Sequence, residues 1–208
     1  MHTQRRLLFS EGDFDILLEK PISPDAISLL KHNAIGSNGP VYRHLDTVDH
    51  VKHLVNPTLI SLRRQGVLMG MGVFCNVSVK VQRQPYNCFY VRYFSASPEI
   101  RGRGYMKKFG VKAMSLIRNG QSGKTIYYAS VESHNFSSLN VVTEAGYAPI
   151  RVIKTLGFSR FFPKASAQIR RATDPKVKQH IMDILDAQYS DFSMVQFTKI
   201  FHNDDYYY

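Results

Sequence analysis

The sequence contains the stretch Ser97-Pro98-Glu99-Ile100-Arg101-Gly102-Arg103-Gly104-Tyr105-Met106, in which a strand pattern changes into a helix pattern. Residues 88–97 are rich in aromatic and β-branched residues, and residues 104–118 repeat apolar positions at helical spacing. A glycine-bearing turn at this junction leaves backbone N–H groups without partners at the positive end of the helix dipole. Glycine has no Cβ, so an anion can approach the backbone closely. The stretch therefore predicts a site for phosphate groups.

A second change from strand to helix lies at Asn135, thirty-one residues after Gly104. The strand pattern of residues 125–131 precedes it, and the helix pattern of residues 135–145 ends at Gly146. Asn is favoured at helix N-caps, and Gly is favoured just beyond helix C-termini. Taken alone, this stretch predicts a well-capped amphipathic helix.

Outward from these two stretches, the patterns predict an α+β protein. On the N-terminal side we predict strand 13–20, helices 23–35 and 46–55, and an antiparallel meander of strands 58–64, 67–82 and 88–97, with turns at Gly66 and at residues 84–87. On the C-terminal side we predict helix 104–118, strand 125–131, helix 135–145 and two closing strands, 147–158 and 165–171.

The net charge of +11 is concentrated in the middle of the chain. Residues 58–172 hold eighteen Lys and Arg against three Asp and Glu, a net charge of +15, whereas residues 1–57 carry −1 and residues 173–208 carry −3. This excess favours an anionic partner, which can be a phosphorylated cofactor, a nucleic acid or an acidic protein.

The two cysteines, Cys75 and Cys88, both lie in apolar strand patterns. Two buried free thiols in a reducing cytoplasm fit these surroundings better than a disulfide between neighbouring strands. The sequence has no Cys-x-x-Cys pair and no histidine cluster at ligand spacing, so no metal site is predicted. No membrane span is predicted either, and the apolar part of the N-terminus is too short for a signal peptide. We therefore expect a cytoplasmic location.

Together the two stretches resemble the GNAT superfamily of acyl-CoA-dependent acyltransferases. The superfamily's cofactor signature, Gln/Arg-x-x-Gly-x-Gly/Ala after the fourth strand, is met by residues 101–106 except at the last position, Met106. Its later signature is met by Asn135, Ser138, Gly146 and Tyr147. The resemblance covers the first 170 or so residues. It implies a GNAT-type α+β fold: a mixed, mostly antiparallel sheet that is splayed between its fourth and fifth strands and flanked by helices.

The resemblance also implies an acetyl-CoA site. Backbone amides of residues 102–107 would cradle the coenzyme A pyrophosphate, and the backbone of residues 94–96 would pair with the pantetheine arm. Asn135 would hydrogen-bond the pantetheine while capping its helix. The cofactor-binding residues implied in this way are Phe94, Ser95, Ala96, Arg101, Gly102, Arg103, Gly104, Tyr105, Met106, Lys107, Asn135 and Ser138.

The reaction implied is direct transfer of an acetyl group to a primary amine of an unidentified acceptor, either a small molecule or a protein. Three positions depart from the superfamily. Met106 replaces a Gly or Ala, Val142 stands where many members have a Tyr acid, and Ser130 stands where some have a Glu base. Glu132, on the same strand face as Ser130, is our first candidate for the base, and Tyr93 is the second. A chain of water molecules can also carry the proton.

These departures leave two other functions open. One is a catalytically silent GNAT-like module that binds coenzyme A or a partner. The other is a basic nucleic-acid-binding domain, in which Tyr86, Phe89, Tyr90 and Tyr93 would stack on bases, although no nucleic-acid motif is present.

Residues 1–172 form the predicted acetyltransferase domain, and residues 173–208 form a C-terminal extension. Asp174-Pro175 predicts the start of a helix in the extension, with Val177, Ile181, Ile184 and Leu185 on one face. The final Tyr206-Tyr207-Tyr208 is typical of the entry to a strand, which predicts that the chain is a fragment of a longer protein.

Overall fold

A mixed β-sheet with helices packed against it is the main feature of the computed structural model, which describes residues 4–35, 42–43, 47–152 and 173–193. In chain order the elements are β1 (Gln4–Glu11), β2 (Phe14–Lys20), α1 (Pro24–His32), β3 (Ala34–Ile35), β4 (Tyr42–Arg43), α2 (Thr47–Lys52), β5 (Pro57–Arg64), β6 (Val67–Val81), β7 (Gln84–Ala96), a 3-10 turn (Pro98–Ile100), α3 (Tyr105–Asn119), β8 (Thr125–Ala129), α4 (Phe136–Glu144), α5 (Pro175–Gln188) and β9 (Phe192–Ser193).

The order of strands in the main sheet is β1-β2-β5-β6-β7-β8. The pairs β1–β2, β2–β5 and β5–β6 are antiparallel, whereas β7 and β8 are parallel. A parallel pair needs a crossover connection, and α3 supplies it. The short strands β3 and β4 pair with each other in a separate sheet. This arrangement confirms the predicted α+β class and the GNAT-type order of elements from β2 to α4.

The two parallel strands separate at one end. Their register runs from Asn87 opposite Thr125 to Val91 opposite Ala129. Strand β8 ends at Ala129, while β7 continues to Ala96 without a partner on β8. The splay predicted between the fourth and fifth strands of the fold is therefore present, and it lies between β7 and β8.

Two hydrophobic clusters pack against the two faces of the sheet. Side chains alternate between faces along a strand, so Leu59 enters one cluster and its neighbour Ile60 enters the other. The first core, around α3, holds Ile16, Ile60, Leu62, Met69, Phe74, Phe89, Ile100, Phe109, Ala113, Met114 and Ala145. The second core, around α1, holds Ile22, Ala26, Leu30, Val51, Leu59, Met71, Val73 and Cys75. The sheet thus has one face covered by α3 and one face covered by α1.

A buried ion cluster joins β2, β5 and α1. Arg63 is 1% exposed and Glu19 is fully buried. The Arg63 guanidinium donates to Glu19 Oε1 at 2.7 Å, to Asp25 Oδ2 at 2.7 Å and to the Gly66 carbonyl at 2.9 Å. Burial is the largest single effect and by itself raises the pKa of both carboxyl groups, but the surrounding hydrogen bonds and positive charges, those of Arg63 foremost, together outweigh it. The pKa of Glu19 is therefore lowered, and that of Asp25 is lowered to about 2.

Strand β1 is absent from the predicted elements. It pairs with β2 through a turn at Gly12, whose φ of +61° favours glycine. As the first strand of the sheet order it has one neighbouring strand, and most of its side chains are exposed. Its sequence therefore lacks the apolar alternation by which a half-buried strand is recognised.

The predicted turn at residues 84–87 is wrong. The chain reverses earlier, at Gln82 and Arg83, whose φ angles are +51° and +63°. Positive φ at both central residues is what a two-residue hairpin turn of type I′ requires. Because Asn and Gly usually occupy such positions, Gln and Arg give no warning of this turn. Residues 84–87 instead begin β7.

The predicted closing strands fall largely outside the described residues. Residues 147–152, the beginning of predicted strand 147–158, are irregular. The rest of that strand and strand 165–171 lie beyond the described ranges. The other predicted helices and strands begin and end within about four residues of the observed ones.

The chain divides into two compact units, Met1–Val77 with Asn87–Ala148, and Ser78–Tyr86 with Pro149–Tyr208. In the second unit, α5 begins as predicted, with Asp174 at its N-cap accepting from the Lys176 N–H at 2.8 Å. Strand β9 pairs with Lys80 and Val81 of β6. None of the helices in the described ranges is long and apolar enough to cross a membrane. The domain boundary at residue 172 stays a prediction.

Both cysteines are free and buried, as the sequence predicts. Cys75 lies in the second core, and Cys88 is fully buried on β7. Burial raises the pKa of each thiol to about 11.

Candidate functional site

The turn between β7 and α3 is held open by two glycines. Gly102 and Gly104 have φ angles of +72° and +78°, a conformation that other residues adopt only with strain. A Cβ built on either glycine meets no atom within 4 Å, so the space beside the turn is free. Ile100, which is 2% exposed, fixes the turn to the first core. The sequence-predicted phosphate turn therefore has the backbone shape that such a site needs.

The backbone amides of residues 102–107 divide into two groups. The N–H of Arg103 donates to the Ile100 carbonyl at 3.4 Å, and that of Lys107 donates to the Gly104 carbonyl at 3.1 Å. The four others, on Gly102, Gly104, Tyr105 and Met106, have no acceptor within the part of the chain that the structure describes. These four donors stand at the N-terminus of α3, where the helix dipole also favours an anion.

The charged side chains of the turn differ in what they contact. Arg101 donates to the Ala96 carbonyl at 3.1 Å and to Asn33 Oδ1. Lys107 forms an ion pair with Glu144 of α4, with Nζ 2.7 Å from Oε1. Arg103 is exposed and has no acidic partner among the described residues. Of the three cations, Arg103 is therefore the one most available to a bound anion.

Met106 does not crowd the turn. Its side chain packs against the first core, and its Sδ lies above Gly70 of β6, 2.4 Å from where a Cβ on that glycine would be. Met106 and Gly70 therefore form a large-and-small pair. The departure from the superfamily at position 106 is accommodated in the core. Next to it, the Tyr105 ring contacts Phe14, with centroids 4.9 Å apart.

This pairing makes a prediction for stability. Met106→Ala leaves a void over Gly70, and Gly70→Ala clashes with Met106, so each change should cost about 1–2 kcal/mol of unfolding free energy. The double variant fills the void with the new methyl group, and its cost should be smaller than the sum by about 1 kcal/mol. Urea unfolding of the four proteins measures this coupling. Strictly additive costs would show that the two residues do not pack on each other.

Strand β7 carries a bulge at Tyr93, which the sequence does not reveal. Tyr93 has a φ of +53°, an uncommon value for a residue with a side chain. Phe89, Val91, Phe94 and Ala96 pack with the first core, whereas Tyr90 and Tyr93 pack with the second. The alternation thus shifts by one residue between Val91 and Phe94, as an extra residue in a strand causes. Strained backbone of this kind is often found at functional sites.

Residues 94–96 lie on the open edge of the splay, where the pantetheine arm is predicted to bind. The Phe94 ring stacks on Phe109 of α3 at 5.8 Å and is turned into the core. Asn33 Nδ2 donates to Ser95 Oγ and, at 3.0 Å, to the Ala96 carbonyl, which Arg101 also contacts. Because a carbonyl oxygen has two lone pairs, that of Ala96 is already fully engaged. Among the described residues, no side chain donates to the carbonyls of Phe94 and Ser95, so these two are the better candidates for pairing with a ligand.

Asn135 caps α4 and still has donors to spare. Its Oδ1 accepts from the Ser138 N–H at 3.1 Å, while its own N–H donates to the Glu132 carbonyl at 2.9 Å. Its side-chain NH2 group has no acceptor among the described residues. Both Asn135 and Ser138 line a cavity between the ends of β7 and β8. The cap and the predicted ligand contact therefore use different atoms of the same side chain.

A cavity of about 270 Å3 opens where β7 and β8 separate. It brings together five predicted site residues: Tyr93, Phe94, Glu132, Asn135 and Ser138. Ser130 and Val142, the two catalytic departures from the superfamily, also line it. Sequence reasoning did not assign Tyr90, Arg92 and Tyr147 to the site, although they line the cavity too. The residues of the turn, 101–107, are not among its lining residues.

Burial favours the protonated form of Tyr93 and Tyr147 in the cavity and of the nearby Tyr128. Burial raises the pKa of Tyr93, and it raises that of Tyr147, whose hydroxyl lies 3.2 Å from Met114 Sδ. Tyr128, stacked on Tyr90 with centroids 4.4 Å apart, has its pKa raised by burial to about 12. A phenol with a raised pKa can donate a proton but is a poor base at neutral pH. Tyr93 therefore suits the role of acid better than the predicted role of base.

The chain is similar in fold to several solved structures, although its sequence matches no known family. No protein-family model and no curated protein matches the chain. Similar solved structures include AAC(6')-Iy in complex with the bisubstrate analogue CoA-S-monomethyl-acetylneamine, with 14% identity, 71% of this chain and 100% of that chain covered, and a TM-score of 0.48. Glucosamine-6-phosphate N-acetyltransferase from Arabidopsis thaliana has 15% identity, 71% and 100% coverage, and a TM-score of 0.44. A transcriptional regulator from Bacillus halodurans C-125 has 14% identity, 76% and 100% coverage, and a TM-score of 0.48.

The strand order, the splay and the glycine turn together define the class of fold. They are the features of a GNAT-type domain, and each of them is observed in this chain.

Proposed function

We propose that the chain transfers an acetyl group from acetyl-CoA to the nitrogen of a primary amine. The observation that carries this proposal is the common edge of β7 and β8. Because the two strands are parallel, their carboxyl ends lie at the same edge of the sheet. The turn, in which four N–H groups have no acceptor in the described ranges, follows β7, and Asn135 follows β8. A long ligand with phosphates at one end and a reactive group at the other matches such an edge.

The residues present fit coenzyme A. The pyrophosphate would accept from the N–H groups of Gly102, Gly104, Tyr105 and Met106, with Arg103 adding charge. The pantetheine arm would lie along Phe94 and Ser95 and accept from the side-chain NH2 group of Asn135. The thioester would then reach the cavity. Arg101 and Lys107, which are engaged within the protein, would support the turn rather than contact the ligand.

The chemistry is a direct acyl transfer that needs one base and one acid. The amine gives up a proton, its lone pair attacks the thioester carbonyl carbon, and a C–N bond forms. The C–S bond then breaks, and the coenzyme A thiolate takes up a proton. Backbone N–H groups beside the Tyr93 bulge would stabilise the oxyanion. The products are an N-acetyl amide and free coenzyme A. The base accepts the proton that the amine loses, and the acid supplies the proton that the thiolate gains.

Glu132 and Tyr93 would divide the proton transfers. Glu132 is exposed at the mouth of the cavity, and its carboxylate can accept the amine proton directly or through water. Tyr93, with its raised pKa, would return a proton to the thiolate. Position 142 is Val in the same cavity, so the acid of this chain would come from β7 instead of α4.

The test is amine-dependent release of coenzyme A thiol by the purified chain. Glu132→Gln should lower kcat/KM by roughly 10²- to 10³-fold, and Tyr93→Phe by a similar factor, while acetyl-CoA affinity stays within about twofold. Unchanged kcat/KM in both variants would remove these residues from the mechanism.

A catalytically silent module is the second candidate function. The observation in its favour is that Val142 and Ser130 line the cavity at the positions where the superfamily places its acid and base. Acetyl-CoA binding without thiol release, across a panel of amines, would establish this alternative.

Asn135 offers a test of the cofactor site that separates binding from stability. Asn135→Asp keeps the oxygen that caps α4 but removes the NH2 donor, so we expect unchanged stability and roughly tenfold weaker acetyl-CoA binding. Asn135→Ala loses the cap as well and should cost about 1 kcal/mol of unfolding free energy. Calorimetric titration and urea unfolding give the two readouts. If Asn135→Asp bound acetyl-CoA with wild-type affinity, the role of Asn135 would be limited to capping α4.

A further inference from the structure

Arg92 is held on β7 by two tyrosine rings. Its Cζ lies 5.5 Å from the centroid of the Tyr90 ring and 5.2 Å from that of Tyr93. Attraction between a cation and an aromatic face restrains the guanidinium while leaving its N–H groups able to donate at their edges. The Tyr93 bulge contributes to this arrangement, because it places Tyr93 in the same cluster as Tyr90 and next to Arg92.

Arg92 has no acidic partner among the described residues. The groups whose titration its charge influences are Cys75, Tyr93 and Tyr128, and all of these are neutral thiols or phenols at neutral pH. Other arginines of the main sheet do have carboxylate partners: Arg5 and Arg63 pair with Glu19, and Arg64 pairs with Glu99. Within the described structure, Arg92 is therefore an exposed cation that contacts two rings and has no anionic partner.

The position of Arg92 separates it from the phosphate turn. The tyrosines that hold it pack with the second core, on the face of the sheet covered by α1. The turn leads into α3, which packs against the first core on the other face. Arg92 nevertheless lines the splay cavity, together with Glu132. The lining of the cavity thus includes one cation, Arg92 of β7, and one carboxylate, Glu132 of the segment after β8.

We infer that the acceptor amine carries a carboxylate, which Arg92 binds through its guanidinium fork. This inference rests on the proposed acetyl transfer and names the class of its acceptor. A planar carboxylate matches the paired N–H donors of an arginine. The amine of the same molecule would face Glu132, which attracts its ammonium form and then takes its proton. A free amino acid presents both groups within a few bonds.

Matched pairs of amines test this inference. Lysine is compared with cadaverine, and phenylalanine with phenethylamine, which differ by the carboxylate alone. Rates of thiol release at saturating acetyl-CoA are divided by the concentration of unprotonated amine, because the carboxylate changes the basicity of the amine. The proteins are the wild type, Arg92→Met and the control Arg6→Met, which removes an exposed arginine from β1. Acetyl-CoA affinity is measured for each.

In the wild type, kcat/KM should favour the amino acid of each pair by at least tenfold, the value of a charge-assisted hydrogen bond. In Arg92→Met this ratio should fall by roughly ten- to a hundredfold, with acetyl-CoA affinity unchanged, whereas Arg6→Met should keep the wild-type ratio. Equal rates within the pairs, or an equal loss for both members in Arg92→Met, would overturn the inference.

A binding measurement keeps the inference testable if no amine supports turnover. N-acetyl-phenylalanine and N-acetyl-phenethylamine are titrated into the protein loaded with coenzyme A. Tighter binding of the carboxylate compound, lost in Arg92→Met, would support the anion site even though acetyl transfer had failed. Failure of the carboxylate compound to bind more tightly, or an unchanged preference in Arg92→Met, would remove the site while leaving the cofactor result intact.

Discussion

Replacing Gly104 with aspartate should weaken acetyl-CoA binding by roughly a hundredfold. A carboxylate at this position can accept from the amides that start α3 and so occupies the place of the pyrophosphate with its own charge. It also repels the phosphates, at a cost of about 1–4 kcal/mol for unit charges some 4 Å apart near a protein surface. Calorimetric titration with acetyl-CoA measures the loss.

Gly123→Asp is the matched control for that experiment. Gly123 has a φ of +95°, and a Cβ built on it meets nothing within 4 Å, so an aspartate there has similar backbone strain in similarly open space. It lies in the loop before β8, away from the N-terminus of α3. Acetyl-CoA affinity should stay within about twofold of the wild type. Equal weakening in both variants would assign the effect to strain, and full binding by Gly104→Asp would remove the turn from the cofactor site.

Replacing Arg63 with methionine should lower the free energy of unfolding by about 3–5 kcal/mol, because it removes the buried partner of Glu19 and leaves only the longer contact with the half-exposed Arg5, at 3.3 Å. The neighbouring change, Arg64→Met, removes an exposed ion pair with Glu99 and should cost less than about 1 kcal/mol. Urea unfolding compares the two. Should Arg63→Met fail to fold, the double change with Glu19→Leu should recover much of the stability, since an apolar pair of similar volume can replace a buried ion pair. Similar, small losses for both single variants would contradict the structure of the cluster.

The same cluster makes stability depend on pH in a predictable direction. The folded protein lowers the pKa of Glu19 from its ordinary 4.5, and that of Asp25 from 3.8 to about 2. A lowered pKa means that the unfolded chain binds more protons, so this contribution is complete above about pH 4.5 and is lost as the pH falls toward 2. Unfolding midpoints between pH 5 and pH 2 should therefore drop less steeply in Arg63→Met than in the wild type. Parallel curves would show that the cluster is not the source.

The shape of the turn between β7 and α3 could be predicted because it depends on local residues. Gly102 and Gly104 are needed for backbone angles that few other residues adopt, and Asn135 is a common helix cap. These signals depend on neighbours in sequence, and the structure places all three residues where the sequence indicates. The splay was implied by the resemblance to the GNAT superfamily rather than by the local patterns.

The parts of the site that escaped prediction depend on contacts between distant residues. Nothing about Tyr93 as a residue type indicates a positive φ, because the bulge arises from packing on both faces of β7. Glu19 and Arg63 look like polar positions of two ordinary strands until β2 and β5 are paired. The availability of Arg92 is visible only when the partners of other arginines are known. Periodicity describes a single strand, whereas these features belong to several.

The two cysteines bear on how this protein can be assayed. Cys75 and Cys88 have a pKa of about 11, so about one thiol in a thousand is ionised at pH 8. A thiol-detecting dye added to the folded chain should therefore report released coenzyme A over a very low background. The same dye also measures the rate of global unfolding, because both buried sulfur atoms should react only after the sheet unfolds. One reagent can thus follow turnover in the native protein and survival of the native protein.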